Sequence, residues 1–561
     1  MRLLLFITVA FLVFIIIIIR LFQIQINATD CFYFNNGTCK ENIHKEAEKR
    51  QIQTVKLLAQ RGSIFDRNNN ILAMSLPIKT LCINPSRLYG SEDKSISKLS
   101  KILGIPEKKI IRIIQKNKNK KELYLKRHIS KDLYKRIKSL KNPNIYFINE
   151  NKRSYLGGRP FSNIIGFTNI DDKGQEGIEL VSNQVLSPEV GLKRVKKDNI
   201  GRPIETIGII KKSVPGKDIF LTMDKRIQII GYETLRKYIK KFKAESGSMV
   251  LIESNTGDII SMTNYPSFNP ERRSEFNGKK IKNRAVYDLI EPGSTIKPLI
   301  IYTGLNNKVI TESTIINTAP GVIQLKDKEI KDWKYLGKVS PKDIIRLSSN
   351  IGAAKVSSKL SKKQLIDGLN KLGFGQSLFL NLPGSKSGSL PLASNLSYSG
   401  HMSLGYGYGL STSLMHIASA YTTLANYGDR IQINYLKTNY KDSKKDTILN
   451  RADSKKVLDM MREVVHSKDG TGRKARVEGY TVYGKTGTVR QIVNGEYSKD
   501  KHNALFVGII GDPKPKYVAA VIIRNPKNRE GSGGFHAAPV FSEFMQHSMR
   551  ILNDISYVSN R

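Results

Sequence analysis

Cysteine is scarce in this 561-residue chain: there are three, Cys31, Cys39 and Cys82, with no C-x-x-C pair and no histidine cluster at ligand spacing. A structural metal is therefore not expected. Cys31 and Cys39 flank FYFNNGT, whose Asn36-Gly37 suits a tight turn, so a small hairpin disulfide and two free thiols both remain open. No internal repeat is evident, which argues against a solenoid. Acidic residues are also short, 48 against 92 basic ones, for a net charge of +44. Such a balance invites a nucleic-acid reading. The basic residues are instead spread through stretches such as EKKIIRIIQKNKNKKELYLKRHISK, where Ile and Leu keep helical spacing and Lys takes the remaining faces. A solvated surface, weakly attracted to anionic lipid or acidic glycan, accounts for the charge, and no nucleic acid is expected as a partner.

Long apolar runs are absent except for one. Leu3 to Ile19 is almost unbroken hydrophobic sequence between Arg2 and Arg20. As a helix it rises about 25 Å, and Leu21 and Phe22 extend it toward the bilayer core. No A-x-A-like cleavage site follows in RLFQIQINATDC, which favours an uncleaved anchor over a signal peptide. Its flanking charges leave the orientation open.

After the anchor, residues 40–60 read as a polar helix, RGSIFDRNNNILAMSL as strand, turn and strand, and 92–145 as mostly helical, with Pro106 opening one helix. Segment 153–218 returns to short strands and turns, closing with the linker-like KKSVPGKD. From Ile219 the texture changes. An amphipathic helix over DKRIQIIGYETLRKYIKKFK precedes the hairpin GSMVLIESNTGDIISMTNY, and the far end carries two apolar strands in NALFVGIIGDPKPKYVAAVIIRNP and the helix APVFSEFMQHSMRIL. Terminal helices around a shared antiparallel sheet predict an α+β domain.

Three short motifs fall in order within that domain. In EPGSTIKP, Pro298 belongs in a first helical turn, which puts Ser294 and Lys297 near a helix start and on one face. A desolvated lysine amine there can take the serine proton, and the helix N-terminus offers N–H groups to an oxyanion. Ser348-Ser349-Asn350 can relay a proton through Ser348 and hold a substrate amide through Asn350, or can simply cap a helix. Lys485-Thr486-Gly487-Thr488 sits in the strand-like TVYGKTGTVRQIV. There Gly487 would clear space for a peptide along the strand edge and Lys485 would bind a carboxylate, unless the segment is an ordinary strand with a glycine bulge. Each motif alone is ambiguous; together S-x-x-K, S-x-N and K-T-G form the set found in penicillin-binding proteins and serine β-lactamases.

With NYPSFNP, RGSIFDRNNNILA, GFTNIDDKGQEGIE and APVF added, the chain from Arg61 onward resembles a class B penicillin-binding protein of the division type. The resemblance implies an anchor over 1–22, a non-catalytic pedestal over 23–218, a serine β-lactamase-like transpeptidase over 219–550 with its antiparallel sheet sandwiched by helices, and a tail over 551–561. It also implies an inner-membrane protein with its bulk in the periplasm. Ser294 would be the nucleophile that expels the terminal D-Ala of a stem pentapeptide and that β-lactams acylate. Lys297 would be the general base and Ser348 the relay. Asn350, Lys485, Thr486, Gly487 and Thr488 would bind substrate, with an oxyanion hole at the Ser294 and Thr488 amides. No cofactor is implied. The partners implied are peptidoglycan stem peptides, a polytopic glycosyltransferase and other septal membrane proteins.

Two departures stand out. Asn69 occupies a position where the pattern RGxIxDRxG has Gly, and the loop SLGYGYGLSTSLMH lacks the usual Thr-Pro. His401 and His536 read as surface or packing residues. An elongation-type relative would carry Asp at position 350. A β-lactamase or sensor would need a base for deacylating water, which no residue here claims. A non-catalytic scaffold would not need all three motifs.

Overall fold

The structure, a computed structural model, describes residues 2–26, 32–33, 39–40, 51–90, 94–198, 203–437, 445–493, 495–511, 514–527 and 532–559. The chain forms two compact units that interleave in sequence, one from residues 1–61, 77–152 and 188–216 and the other from 62–76, 153–187 and 217–561.

The smaller unit begins with a helix over Arg2–Ile26, whose side chains from Leu4 to Phe22 are all exposed. That segment is long and apolar enough to cross a membrane. Phe32–Tyr33 and Cys39–Lys40 pair antiparallel, while the Cys31–Cys39 pairing lies outside the described residues. Two sequence expectations are corrected in this unit. The reading of 40–60 as a helix fails at Ile52–Leu57, a strand that pairs with Gly191–Lys197. IQTVKL contains the β-branched residues Ile52, Thr54 and Val55, which suit a pleated surface once a partner strand is present. The helical reading of 92–145 fails at Leu123–Ile129, which pairs with the strand at Lys79–Ile83. The helices Ser95–Leu103, Glu107–Lys116 and Lys131–Lys138 are present, and they contribute Leu99, Ile110 and Ile137 to a core shared with Leu81 and Ile83.

The larger unit is built on an antiparallel sheet of five strands: β1 (Ser246–Glu253), β2 (Ile259–Tyr265), β3 (Thr481–Val493), β4 (Glu496–Gly511) and β5 (Tyr517–Arg524). Their order across the sheet is β2-β1-β5-β4-β3, which leaves β3 at one end. Every residue of β1 and of β5 is buried, so both faces of the sheet centre are covered. The covering helices include α1 (Lys225–Lys241), α4 (Leu414–Ala425) and α5 (Gly533–Ser559). α5 lies so close to β4 that a Cβ on Gly508 would sit 2.5 Å from Phe541 Cζ. At the RGSIFDRNNN motif, Asp66 Oδ1 accepts the backbone N–H groups of Asn68 and Asn70 at 2.8 and 2.7 Å. Asn69 adopts φ +63°, so a left-handed turn absorbs the departure from glycine.

Candidate active site

The three motifs converge within the larger unit. Ser294 lies in a 3-10 turn, Gly293–Ile296, that leads directly into α2 (Lys297–Asn306) with Pro298 in its first turn. Gly293 needs its missing side chain: it has φ +52°, and a Cβ would meet Val489 Cγ2 at 2.4 Å. The turn is further fixed by Gly293 N donating to Gly407 O at 3.1 Å and by Tyr421 Oη donating to Thr295 O at 2.6 Å. The Ser294 side chain is half-buried and makes no hydrogen bond among the described residues, so the hydroxyl is uncommitted.

Lys297 is completely buried, and its Nζ donates to Ser348 O at 2.7 Å, to Ser348 Oγ at 3.3 Å and to Asn350 Oδ1 at 2.8 Å. Lys485, equally buried on β3, donates to the same Ser348 Oγ at 2.9 Å and to Thr486 O at 3.0 Å. Two amines thus share one hydroxyl in a water-poor pocket. Burial, reinforced by the charge of Lys485, holds Lys297 well below the ordinary lysine range, while Asp332 opposes the shift. Burial brings Lys485 down to about 7. Lys297 is therefore suited to accept a proton near neutral pH.

The middle motif divides its labour. Ser349 caps α3 (Asn350–Lys359), accepting from Gly352 N at 2.8 Å, while its neighbours Ser348 and Asn350 meet Lys297. A helix cap and contacts to the Lys297 amine thus fall on adjacent residues. Ser348 holds φ +62°, a conformation that turns its carbonyl and hydroxyl toward the same amine. Asn350 Nδ2 donates to Lys331 O at 2.8 Å, so its amide already has a protein partner at each end.

The third motif lies on β3, the terminal strand, which offers an unpaired edge. A Cβ on Gly487 would fall 2.9 Å from Thr295 Cγ2, so the glycine lets the strand approach the nucleophile turn. Thr486 Oγ1 lies 3.0 Å from Thr471 Oγ1, and Thr488 Oγ1 accepts Gly533 N at 3.0 Å, leaving the Thr488 hydroxyl proton free to donate. His401 and His536 are buried.

Two carboxylates at the site carried no signal in the sequence. Asp332 is bonded to the Ser349-Asn350-Ile351 segment. Glu291, three residues before Ser294, accepts Gly409 N at 2.9 Å and Tyr497 Oη at 3.0 Å, tying the glycine-rich loop and the β4 strand to the segment before the nucleophile. Burial pushes its carboxyl up. Nothing in EPGS marks a glutamate for that task.

Comparison with known proteins agrees with this geometry. Residues 247–546 match the family described as penicillin binding protein transpeptidase domain, and residues 56–221 match the penicillin-binding protein dimerisation domain. The chain belongs to the class B penicillin-binding proteins. Among curated members of that family it is 35% identical over 506 residues to the peptidoglycan D,D-transpeptidase FtsI of Buchnera aphidicola subsp. Schizaphis graminum, covering 89% of this chain and 88% of the relative. The transpeptidase domain of Burkholderia pseudomallei penicillin-binding protein 3 is 32% identical with a TM-score of 0.54, covering 59% of this chain and 96% of that one. A peptidoglycan synthetase of Bifidobacterium adolescentis shares the fold across 90% of this chain and 97% of its own, with a TM-score of 0.70 and 21% identity. In this penicillin-binding protein the S-x-x-K, S-x-N and K-T-G segments meet at one place in the fold.

Proposed function

We propose that this protein is a septal peptidoglycan D,D-transpeptidase, anchored in the inner membrane with its bulk in the periplasm. The observation that carries the reading is the shared contact of Lys297 and Lys485 with Ser348 Oγ beside the turn that bears Ser294. Ser294 Oγ attacks the penultimate D-Ala carbonyl of a stem pentapeptide as its proton passes to Lys297. The tetrahedral oxyanion is stabilised by the Ser294 and Thr488 amides. Collapse expels the terminal D-Ala, whose nitrogen takes a proton through Ser348, and an amine of a neighbouring stem peptide then attacks the acyl-enzyme, releasing Ser294 and closing the cross-link. Lys485, Thr486 and Thr488 bind the donor carboxylate, Gly487 clears the strand edge, and Asn350 orients a substrate amide with its second lone pair and second amide hydrogen. A β-lactam enters as a mimic of the donor and stops at the acyl-enzyme.

The domain arrangement proposed with this function is an anchor over 1–22, a pedestal over 23–218, a transpeptidase over 219–550 and a tail over 551–561. Glycan strands come from a separate polytopic glycosyltransferase, and other division proteins of the membrane complete the assembly. Asn350, where elongation-type relatives carry Asp, favours division. A direct test supplies the full chain in detergent with a D-Ala-D-Ala-ended peptide donor and an excess of an amine acceptor. Release of D-Ala with matching formation of the new amide, lost in Ser294→Ala, is the expected result. Release of D-Ala by hydrolysis alone, with no new amide, would contradict transpeptidation.

A further inference from the structure

Asp332 lies on the loop that follows the short strand Glu329–Lys331, half-buried, with both oxygens engaged. Oδ2 accepts from Ser349 Oγ at 2.7 Å, and Oδ1 accepts the backbone N–H groups of Asn350 at 2.5 Å and of Ile351 at 3.1 Å. Those amides open α3 and have no partner within the helix, so a carboxylate placed there satisfies them and complements the helix dipole. The same loop holds the segment at two further points. Asn350 Nδ2 donates to Lys331 O at 2.8 Å, and Trp333 Nε1 donates to Leu347 O at 2.9 Å. Residues 347–351 are thus gripped on both sides of Ser348, the residue with left-handed backbone whose two oxygens face Lys297.

We propose that Asp332 is a positioning residue for the reaction: it clamps Ser348 and Asn350 where Lys297 needs them. The inference rests on the proposed roles of Lys297 and Ser348.

The test follows acylation of the full chain in detergent by a fluorescent penicillin from about pH 5 to about pH 9, with D332N and D332A alongside the parent. Asparagine keeps an acceptor for both amides, and Ser349 can turn to accept from its amide nitrogen, so D332N removes charge and little else. Fluorescence of Trp333, the sole tryptophan, reports whether the loop is in place. D332N, which keeps an acceptor for both amides, is expected to acylate at close to the parental rate, so that the conservative variant rescues what D332A loses. D332A, losing the clamp, is expected to acylate on the order of 10²-fold more slowly at every pH. Parental rates in a folded D332A, or equal losses in D332N and D332A, overturn the clamp. Failure of the parent itself to acylate at Ser294 would instead strike at the proposed function.

Discussion

The chemistry of individual residues here is set by how little room and water they have. Lys297 and Lys485 are wholly buried yet face a hydroxyl and carbonyls more than counter-charges, which favours a neutral amine. Replacing Lys297 by Met should leave a folded protein whose acylation by penicillin is slowed about 10²–10⁴-fold, the usual contribution of a general base; stopped-flow acylation of K297M at near-parental rates would contradict that role. Backbone space matters as much. A Cβ on Gly407 would lie 2.1 Å from Gly293 O, and Gly407 itself has φ +90°. G407A should therefore displace the nucleophile turn and depress acylation on the order of 10²-fold, with a smaller loss of thermal stability. Lys297, Ser348, Asn350 and Lys485, which the structure brings together, stood out in the sequence beside Ser294 because all five fall in short motifs of fixed spacing. Asp332 and Glu291 did not, since each reaches its partners only through the fold: Asp332 lies outside the three motifs, and Glu291 stands in EPGSTIKP with nothing in its spacing to mark its contacts.

At the scale of elements, α3 and α5 tie the site to the sheet. Ser349 supplies the N-cap of α3, so S349A should cost about 0.5–2 kcal/mol, read as a lowered midpoint in thermal or denaturant unfolding. α5 begins at Gly533, whose N–H bonds Thr488 on the substrate strand, and continues through His536. His536 is fully buried, and neither ring nitrogen has a hydrogen-bond partner among the described residues. Burial, with His502 close by, lowers it to about 4. Because the unfolded chain binds this proton more readily, the stability from neutral His536 is complete above its ordinary 6.5 and is lost as pH falls from there toward 4. Thermal midpoints measured across that window should fall more steeply for the parent than for H536F; equal slopes would show that His536 does not govern acid sensitivity. Strands with unbroken apolar runs were readable in advance, as were the hairpin turns. The strands at Ile52–Leu57 and Leu123–Ile129 were not, because short Lys-rich segments fit a helical face nearly as well and only a partner strand decides between the two.

The whole molecule joins one exposed apolar helix to two folded units, with all the proposed chemistry in the larger. Deleting residues 2–26 should move the protein from the membrane fraction of expressing cells to the soluble fraction, checked by fractionation; a truncated chain that still sediments with membranes would place membrane attachment elsewhere. The order of apolar helix, dimerisation region and transpeptidase region could be read from the apolar run and the motif order, whereas the interleaving of the two units could not, since it depends on which distant segments pair. The central claim is a serine acyl-enzyme at Ser294. Its most direct test is the intact mass of the full chain after mixing with a labelled penicillin, followed over hours beside Ser294→Ala. The account predicts one stable adduct on the parent and none on the mutant. An adduct that also forms on the mutant, or one that disappears within minutes as the drug is hydrolysed, would contradict it.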